Sequence, residues 1–212
     1  KTEQVKLSFT EQAKEFWNIH LLTWENNFYS KNSISHKQIE ECISLVNKLP
    51  SETKIMEIGC GTGYFAELLL EKKLFEFLAF DFSTSAIEGT QIRSTNAIFR
   101  KVPIESIKKY LAKYPFEYNT VISIELLSWL SPEDLKTVSK LSANKKYVHT
   151  FLSNPSLIQK MIHLFKNMIT YGGDFKLAKE KYYKDDEILK YFPDGKIISK
   201  PELGFNKIIT NL

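Results

Sequence analysis

Apolar residues in this chain fall into short runs separated by stretches of helical spacing. Five apolar runs bounded by turn residues predict β-strands, at residues 54–59, 76–81, 97–102, 119–125 and 145–152. Each run is followed by a stretch with the apolar spacing of an amphipathic helix. Strands that alternate with helices form a mostly parallel sheet with helices on both faces. The pattern therefore predicts a doubly wound α/β fold.

The two ends of the chain depart from this alternation. Residues 9–31 predict a long amphipathic helix, and a second helix is predicted over about residues 35–48. The apolar stripe of the first helix is predicted to consist of Trp17, Leu21, Trp24 and Phe28. At the other end, residues 195–203 and 205–212 have strand-like patterns on either side of Gly204. These two runs predict a closing antiparallel hairpin.

Composition narrows the class of protein. The 212 residues are 43% apolar and 25% charged, which is ordinary for one globular domain. Apolar runs fall short of the roughly 20 residues that span a bilayer, and the N-terminal residues have no signal-like apolar core. We therefore expect a cytoplasmic protein without a membrane partner. Cys42 and Cys60 are the only cysteines, so no metal cluster is expected, and the dispersed net charge of +4 argues against nucleic acid.

Three glycines follow the first predicted strand at alternate positions: Gly59, Gly61 and Gly63. They stand where ligands of open parallel sheets bind, outside the carboxyl end of a strand. A phosphate-binding loop would need lysine and then serine or threonine after the last glycine, but Tyr64 and Phe65 follow it. The dinucleotide fingerprint fits only in a register that starts two residues late, so it stays a minor alternative.

Residues 56–71 resemble the first motif of class I S-adenosylmethionine-dependent methyltransferases, an acidic residue followed by G-x-G-x-G. Residues 78–88 are similar to the second-strand segment of that family, in which an acid ends the strand. Residues 116–130 are similar to its fourth-strand motif. The resemblance implies a seven-stranded sheet with a reversed C-terminal strand, and S-adenosylmethionine as cofactor.

The resemblance also implies a set of cofactor-binding residues: Glu57, Gly59, Cys60, Gly61, Gly63, Asp81, Phe82, Ile104 and Glu125. Asp81 would accept hydrogen bonds from the ribose hydroxyls, or instead cap the following helix. Phe82 would pack on the adenine or belong to the core. Glu57 would orient the glycine turn, reach the cofactor ammonium or be structural. Glu125 would bind cofactor or substrate, or solvate the start of a helix.

Two positions depart from the family pattern. Pro103 stands where relatives often carry an acid that binds the adenine, so adenine recognition would rest on the backbone near Ile104 or on another side chain. Trp129 stands where relatives commonly carry histidine, so no general base can be carried over. None of the four histidines is assigned as catalytic. His36 is expected at the surface, at the start of a helix.

The family layout implies one domain over residues 1–212. Its parts are an N-terminal helical cap, a cofactor-binding core, substrate-cap helices and a terminal hairpin, at residues 1–50, 51–154, 155–194 and 195–212. The small cap favours methyl transfer to a small molecule. We expect the acceptor atom to be oxygen rather than nitrogen. The alternatives are an RNA or protein methyltransferase and a non-catalytic S-adenosylmethionine-binding accessory protein.

Overall fold

The computed structural model describes residues 8–28, 33–93, 95–177 and 180–212. Its helices and strands, in chain order, are α1 (Phe9–Phe28), α2 (Ile34–Val46), β1 (Lys54–Ile58), α3 (Tyr64–Lys72), β2 (Glu76–Asp81), α4 (Thr84–Thr90), β3 (Ile98–Lys101), α5 (Ile107–Lys113), β4 (Thr120–Ser123), α6 (Pro132–Ser142), β5 (Lys146–Leu152), α7 (Leu157–Tyr171), α8 (Asp185–Leu189), β6 (Lys196–Ile198) and β7 (Asn206–Thr210).

The strands form one seven-stranded sheet in the order β3-β2-β1-β4-β5-β7-β6. Strands β1 to β5 pair in parallel, while β7 runs antiparallel to both β5 and β6. The predicted doubly wound fold with a reversed C-terminal strand is confirmed. The first strand of the hairpin ends at Ile198, before Pro201, which cannot donate to a ladder hydrogen bond.

Apolar side chains cover both faces of the sheet because alternate residues of a strand point to opposite sides. Ile55 of β1 packs in a cluster with residues of α2 and α3. Its neighbour Met56 packs on the other face, with residues of α5, α6 and α8. The sheet is therefore buried on both faces, as the continuous apolar runs predict.

Helix α1 lies over the carboxyl end of the sheet, where its Phe16 is fully buried. The Phe16 ring stacks on Trp129 at 5.2 Å between centroids and meets Tyr171 edge-on at 4.9 Å. The predicted apolar stripe is only partly right. Leu21 is buried, but the centre of the contact is Phe16 rather than its neighbour Trp17. The side chains of Trp24 and Phe28, and residues 29–31, lie outside the described part of the chain.

The segment between β5 and the hairpin contains one long helix, α7, and one short helix, α8. Its aromatic residues take different positions. Tyr171 and Phe192 are buried, whereas Phe165 on α7 is 60% exposed. Among the described residues, no helix combines the length and apolar character that crossing a membrane requires.

Candidate functional site

The glycine turn between β1 and α3 has left-handed backbone at all three glycines. A Cβ atom added at Gly59 would lie 2.9 Å from the Leu126 side chain, and one at Gly63 would lie 2.8 Å from the Phe99 ring. Packing against these neighbours therefore explains why both positions need glycine. A Cβ at Gly61 would meet only Leu21, at 3.6 Å, on the side that faces a cavity. Of the three glycines, Gly61 is therefore the one at which a ligand can lie close to the backbone.

Asp81, the last residue of β2, ties this turn to the next helix. Its Oδ2 accepts a hydrogen bond from the Gly61 N–H at 3.0 Å, and its Oδ1 accepts one from the Ser83 N–H at 2.9 Å. Ser83, not Asp81, caps α4, since its hydroxyl accepts from the Ala86 N–H. Burial raises the pKa of the Asp81 carboxyl to about 6.

A first cavity, of about 120 Å³, lies between the glycine turn and α1. Eight of the nine predicted site residues line it: Glu57, Gly59, Cys60, Gly61, Asp81, Phe82, Ile104 and Glu125. The ninth, Gly63, is the N-cap residue of α3 and lies behind the turn. Leu21 and Trp17 of α1 form part of the wall. The volume is below the ~300 Å³ of small-molecule sites, so we expect α1 to move outward when a cofactor binds.

Three of these lining residues illustrate how the predicted site is built. Burial raises the pKa of the Cys60 thiol, which donates a hydrogen bond to the Gly61 carbonyl at 3.5 Å. Cys60 therefore presents backbone atoms and a neutral thiol to the first cavity. The Lys14 ammonium lies 6.0 Å from the centroid of the Phe82 ring. Ile104 follows Pro103, and it is Pro103 that stands at the position where the family pattern places an acid.

Glu57 lines the same cavity and is 1% exposed. Its Oε2 has no hydrogen-bond partner among the described residues. Burial, with the nearby charge of Asp81, raises the pKa of the Glu57 carboxyl to about 8. Since a buried acceptor without a donor is unfavourable, an ammonium group in the cavity would complete this site. The orphaned oxygen therefore fits the amino-acid end of S-adenosylmethionine.

Glu125 follows β4 and has a φ of 54°, which is uncommon outside glycine. Its N–H donates to the Thr150 hydroxyl, which holds the residue in this conformation. The carboxyl is surrounded by protein, although part of the side chain faces two cavities. Burial raises its pKa to about 7, while a hydrogen bond from Ser35 acts in the opposite direction.

A second cavity, of about 480 Å³, lies on the other side of Glu125 and Trp129, which line both cavities. Its walls include polar side chains from α2 and α7. His163 Nε2 lies 2.6 Å from Glu180 Oε2 and 3.3 Å from Asn167 Nδ2. Gln38 Oε1 is buried and has no partner within the described residues. This cavity can therefore hold a polar molecule beside the first one.

The sequence did not predict the polar residues of the second cavity. His163 and Asn167 stand four positions apart on one face of α7, in a helix that is otherwise mostly apolar. That spacing is the signal that could have located them, because i and i+4 share a helix face. Ser35 and Gln38 stand three positions apart on α2 and share a face in the same way, whereas Glu180 is brought to them only by the tertiary fold.

Two further histidines, His149 and His36, pack inside the protein. His149 is fully buried and its two ring nitrogens contact the Ser123 and Ser142 hydroxyls at 2.8 and 2.9 Å. Burial lowers its pKa to about 3, so it stays neutral. The prediction that His36 lies at the surface is wrong. It is 8% exposed, because its Nδ1 contacts the Tyr64 hydroxyl at 3.1 Å across the α2–α3 interface.

The raised pKa values of Asp81, Glu125 and Glu57 predict a pH dependence. Between about pH 4.5 and about pH 8 the folded protein holds protons that the unfolded chain has lost. The free energy of unfolding should therefore fall as the pH rises through this window. The ammonium group of S-adenosylhomocysteine favours the ionised form of the Glu57 carboxyl, so the affinity for this ligand should rise over the same range. Thermal melts at several pH values and calorimetric titration in two buffers of different ionisation enthalpy test both effects. Binding without proton release would contradict the assignment.

Comparisons with known proteins find one matching family model and several similar solved structures. A family model described as "Methyltransferase domain" matches residues 34–183. Magnesium protoporphyrin IX methyltransferase from Synechocystis PCC 6803, solved with S-adenosylhomocysteine, is similar with a TM-score of 0.68 and 15% identity, over 96% of this chain and 98% of that one. An S-adenosylmethionine-dependent methyltransferase from Anabaena variabilis gives a TM-score of 0.64 and 14% identity, over 98% and 96%.

A third solved structure, the complex of DhpI with S-adenosylhomocysteine, gives a TM-score of 0.62 at 9% identity, over 97% of each chain. A comparison with curated protein sequences finds no match. At these identities the solved structures establish the fold, and the family model carries the assignment of the chain.

Proposed function

The chain belongs to the family of S-adenosylmethionine-dependent methyltransferases, and we propose that it methylates an oxygen atom of a small molecule held in the second cavity. The observation that carries this proposal is the position of Glu125. Its side chain stands in the wall between the two cavities, so it is near both a cofactor in the first and an acceptor in the second.

The residues of the first cavity suit the parts of the cofactor. Asp81 has oxygen lone pairs left over for the ribose hydroxyls, and the orphaned Glu57 Oε2 suits the ammonium. Gly61 leaves room for the ligand to lie close to the backbone. When bound, S-adenosylmethionine supplies a methyl group activated by the sulfonium.

The chain's own contribution to the reaction is positioning and proton transfer. A bound cofactor would supply its methyl group to an acceptor hydroxyl oxygen, and its sulfur would keep the electron pair of the carbon–sulfur bond. The hydroxyl proton passes to the Glu125 carboxylate. A base with a pKa of about 7 suits this step, because about half of it is ionised at neutral pH and its carboxylate is still basic.

The second cavity favours a small acceptor. Its volume of about 480 Å³ falls within the ~300–1,000 Å³ range of small-molecule sites. Its polar groups come from α2, α7 and the segment near Glu180, so they surround the acceptor rather than line an open groove. Gln38 Oε1 is available to accept a hydrogen bond from it.

Transfer of labelled methyl tests this proposal. The full chain is incubated with S-adenosylmethionine carrying a ¹³C- and ³H-labelled methyl group and, separately, a small-metabolite extract, total RNA or a protein extract. We expect label in the small-metabolite fraction, with a ¹³C chemical shift typical of a methyl group on oxygen. A shift typical of N-methyl would overturn the oxygen assignment.

Two other outcomes separate the alternatives. Label in RNA or protein would identify a macromolecular acceptor. Binding of S-adenosylhomocysteine with no transfer to any fraction would favour a non-catalytic accessory protein. As a control, Glu125→Gln should bind S-adenosylhomocysteine but transfer far less label, so that background methylation by the extract is recognised.

A further inference from the structure

The outward face of α7 is apolar. Eight large apolar side chains of this helix are between 43% and 75% exposed: Leu157, Ile158, Met161, Ile162, Leu164, Phe165, Met168 and Ile169. At about 100° per residue they occupy a continuous arc of about 160° around the helix. An exposed patch of this kind usually marks an interaction surface.

The orientation of α7 is the reverse of that of an ordinary surface helix, which turns its apolar stripe toward the core. Here the polar residues face the protein. His163 contacts Glu180, and Asn167 is 5% exposed in the wall of the second cavity. The capping box formed by Ser156 and Gln159 fixes the start of the helix. The apolar arc is therefore not needed for the core of this chain.

The charges of α7 border the apolar arc. Lys160 and Lys166 stand about 40° beyond its two edges, and residues 157–171 contain no Asp or Glu. Lys160 is exposed, with its ammonium 5.6 Å from the centroid of the Tyr182 ring. Lysines at the edges of an apolar face can keep their ammonium groups among phosphates while their stems cover apolar surface. The arrangement is complementary to a negatively charged membrane surface.

We propose that α7 is an interfacial helix through which this protein docks on the surface of a bilayer that contains anionic lipids. The apolar arc enters the boundary between headgroups and acyl chains, and Lys160 meets the headgroups, while Lys166 lines the second cavity. This needs no membrane-spanning segment. The expectation of no membrane partner rested on the absence of a spanning run, which an interfacial helix does not require.

A second copy of the chain is a less suitable occupant. Two convex helices touch along a narrow seam, which would leave the sides of a 160° arc in water. Packing one α7 on another would also bring like charges together, because the helix carries lysines and no acids. A bilayer covers the whole arc and supplies the missing negative charge.

Docking through α7 would place the second cavity beside the membrane. Ile162 belongs to both the apolar arc and the wall of that cavity, and the exposed Ile34 lines the cavity nearby. The docking proposal itself does not depend on methyl transfer, because it concerns binding alone.

Co-sedimentation of the full chain with vesicles tests the proposal. Vesicles of phosphatidylcholine alone are compared with vesicles that also contain phosphatidylserine. We expect binding to the second kind, and a loss of about tenfold or more in the double variant Met161→Gln/Phe165→Gln, whose positions lie at the centre of the arc. A matched control, Leu74→Gln/Ile92→Gln, replaces apolar residues that are 66% and 87% exposed elsewhere and should bind like the wild type.

Lys160→Gln isolates the charge contribution. We expect binding to phosphatidylserine-containing vesicles to fall by about fivefold, with no change on phosphatidylcholine alone. Each variant should keep the melting temperature and S-adenosylhomocysteine affinity of the wild type, which separates lost docking from lost folding.

Three results would overturn the proposal: no binding to either kind of vesicle, undiminished binding by Met161→Gln/Phe165→Gln, or equal binding by the wild type to both kinds. Sedimentation equilibrium without lipid adds a fourth. A dimer that Met161→Gln/Phe165→Gln dissociates, together with no vesicle binding, would assign the apolar arc to a second copy of the chain.

Discussion

Asp81→Ala is expected to weaken S-adenosylhomocysteine binding by about 30- to 150-fold, or about 2–3 kcal/mol, because a charged acceptor is lost from the ribose hydroxyls. The variant should also be less stable. Its carboxylate now serves the N–H groups of Gly61 and Ser83, and each buried donor left without an acceptor is expected to reduce stability by about 1–3 kcal/mol. Calorimetric titration and thermal melts measure the two losses separately.

Lost stability must be distinguished from lost affinity in this experiment. Ser156→Ala provides the matched control, because it removes the N-cap of α7 without touching the first cavity. It should lower stability by about 1 kcal/mol and leave the affinity unchanged. Asp81→Asn should be intermediate, since its amide oxygen can serve only one of the two N–H groups. Wild-type affinity in Asp81→Ala would limit Asp81 to a structural role.

The central elements of this fold could be predicted because β1, β2, β4 and β5 are buried on both faces and show continuous apolar runs in the sequence. The first cavity could be predicted for a similar reason. Its glycine turn and Asp81 lie at the ends of adjacent strands, β1 and β2, so sheet topology alone brings them together. The reasons for the individual glycines could not be predicted. Leu126 and Phe99, which exclude a side chain at Gly59 and Gly63, are distant in sequence.

Helical periodicity defines two faces of a helix but does not say which face meets the protein. That limit explains the main differences from prediction. Phe16 rather than Trp17 is the buried centre of α1, and α7 turns its polar face inward. His36 is buried because α3 places the Tyr64 hydroxyl against it. The walls of the second cavity depend on which faces of these helices turn inward, and so the cavity could not be predicted from the sequence.

The two cavities together explain the position of Glu125. A residue with left-handed backbone is strained unless its surroundings hold it, and such residues cluster at functional sites. Here the Thr150 hydroxyl binds its N–H and Ser35 donates to its carboxylate. The first contact fixes the backbone, and the second holds the carboxylate in the wall between the cavities. These contacts therefore hold Glu125 in place, and among the described residues it is the one acid that lines both cavities.

Glu125→Gln is expected to lower kcat for the acceptor identified by labelled-methyl transfer by about 10²- to 10⁴-fold, the usual contribution of a positioned general base. The affinity for S-adenosylhomocysteine should change little, because glutamine keeps the size of the side chain and the hydrogen bond to Ser35. For the wild type, kcat/KM should rise with pH up to about 7 and then level off, whereas the variant should lack this titration.

Glu180→Gln is the matched control, since it removes a second carboxylate of the acceptor cavity that is already paired with His163. We expect it to raise KM more than it lowers kcat. If both variants lowered kcat equally, or if Glu125→Gln kept the wild-type pH profile, proton transfer to Glu125 would be excluded and positioning alone would account for its place between the cavities.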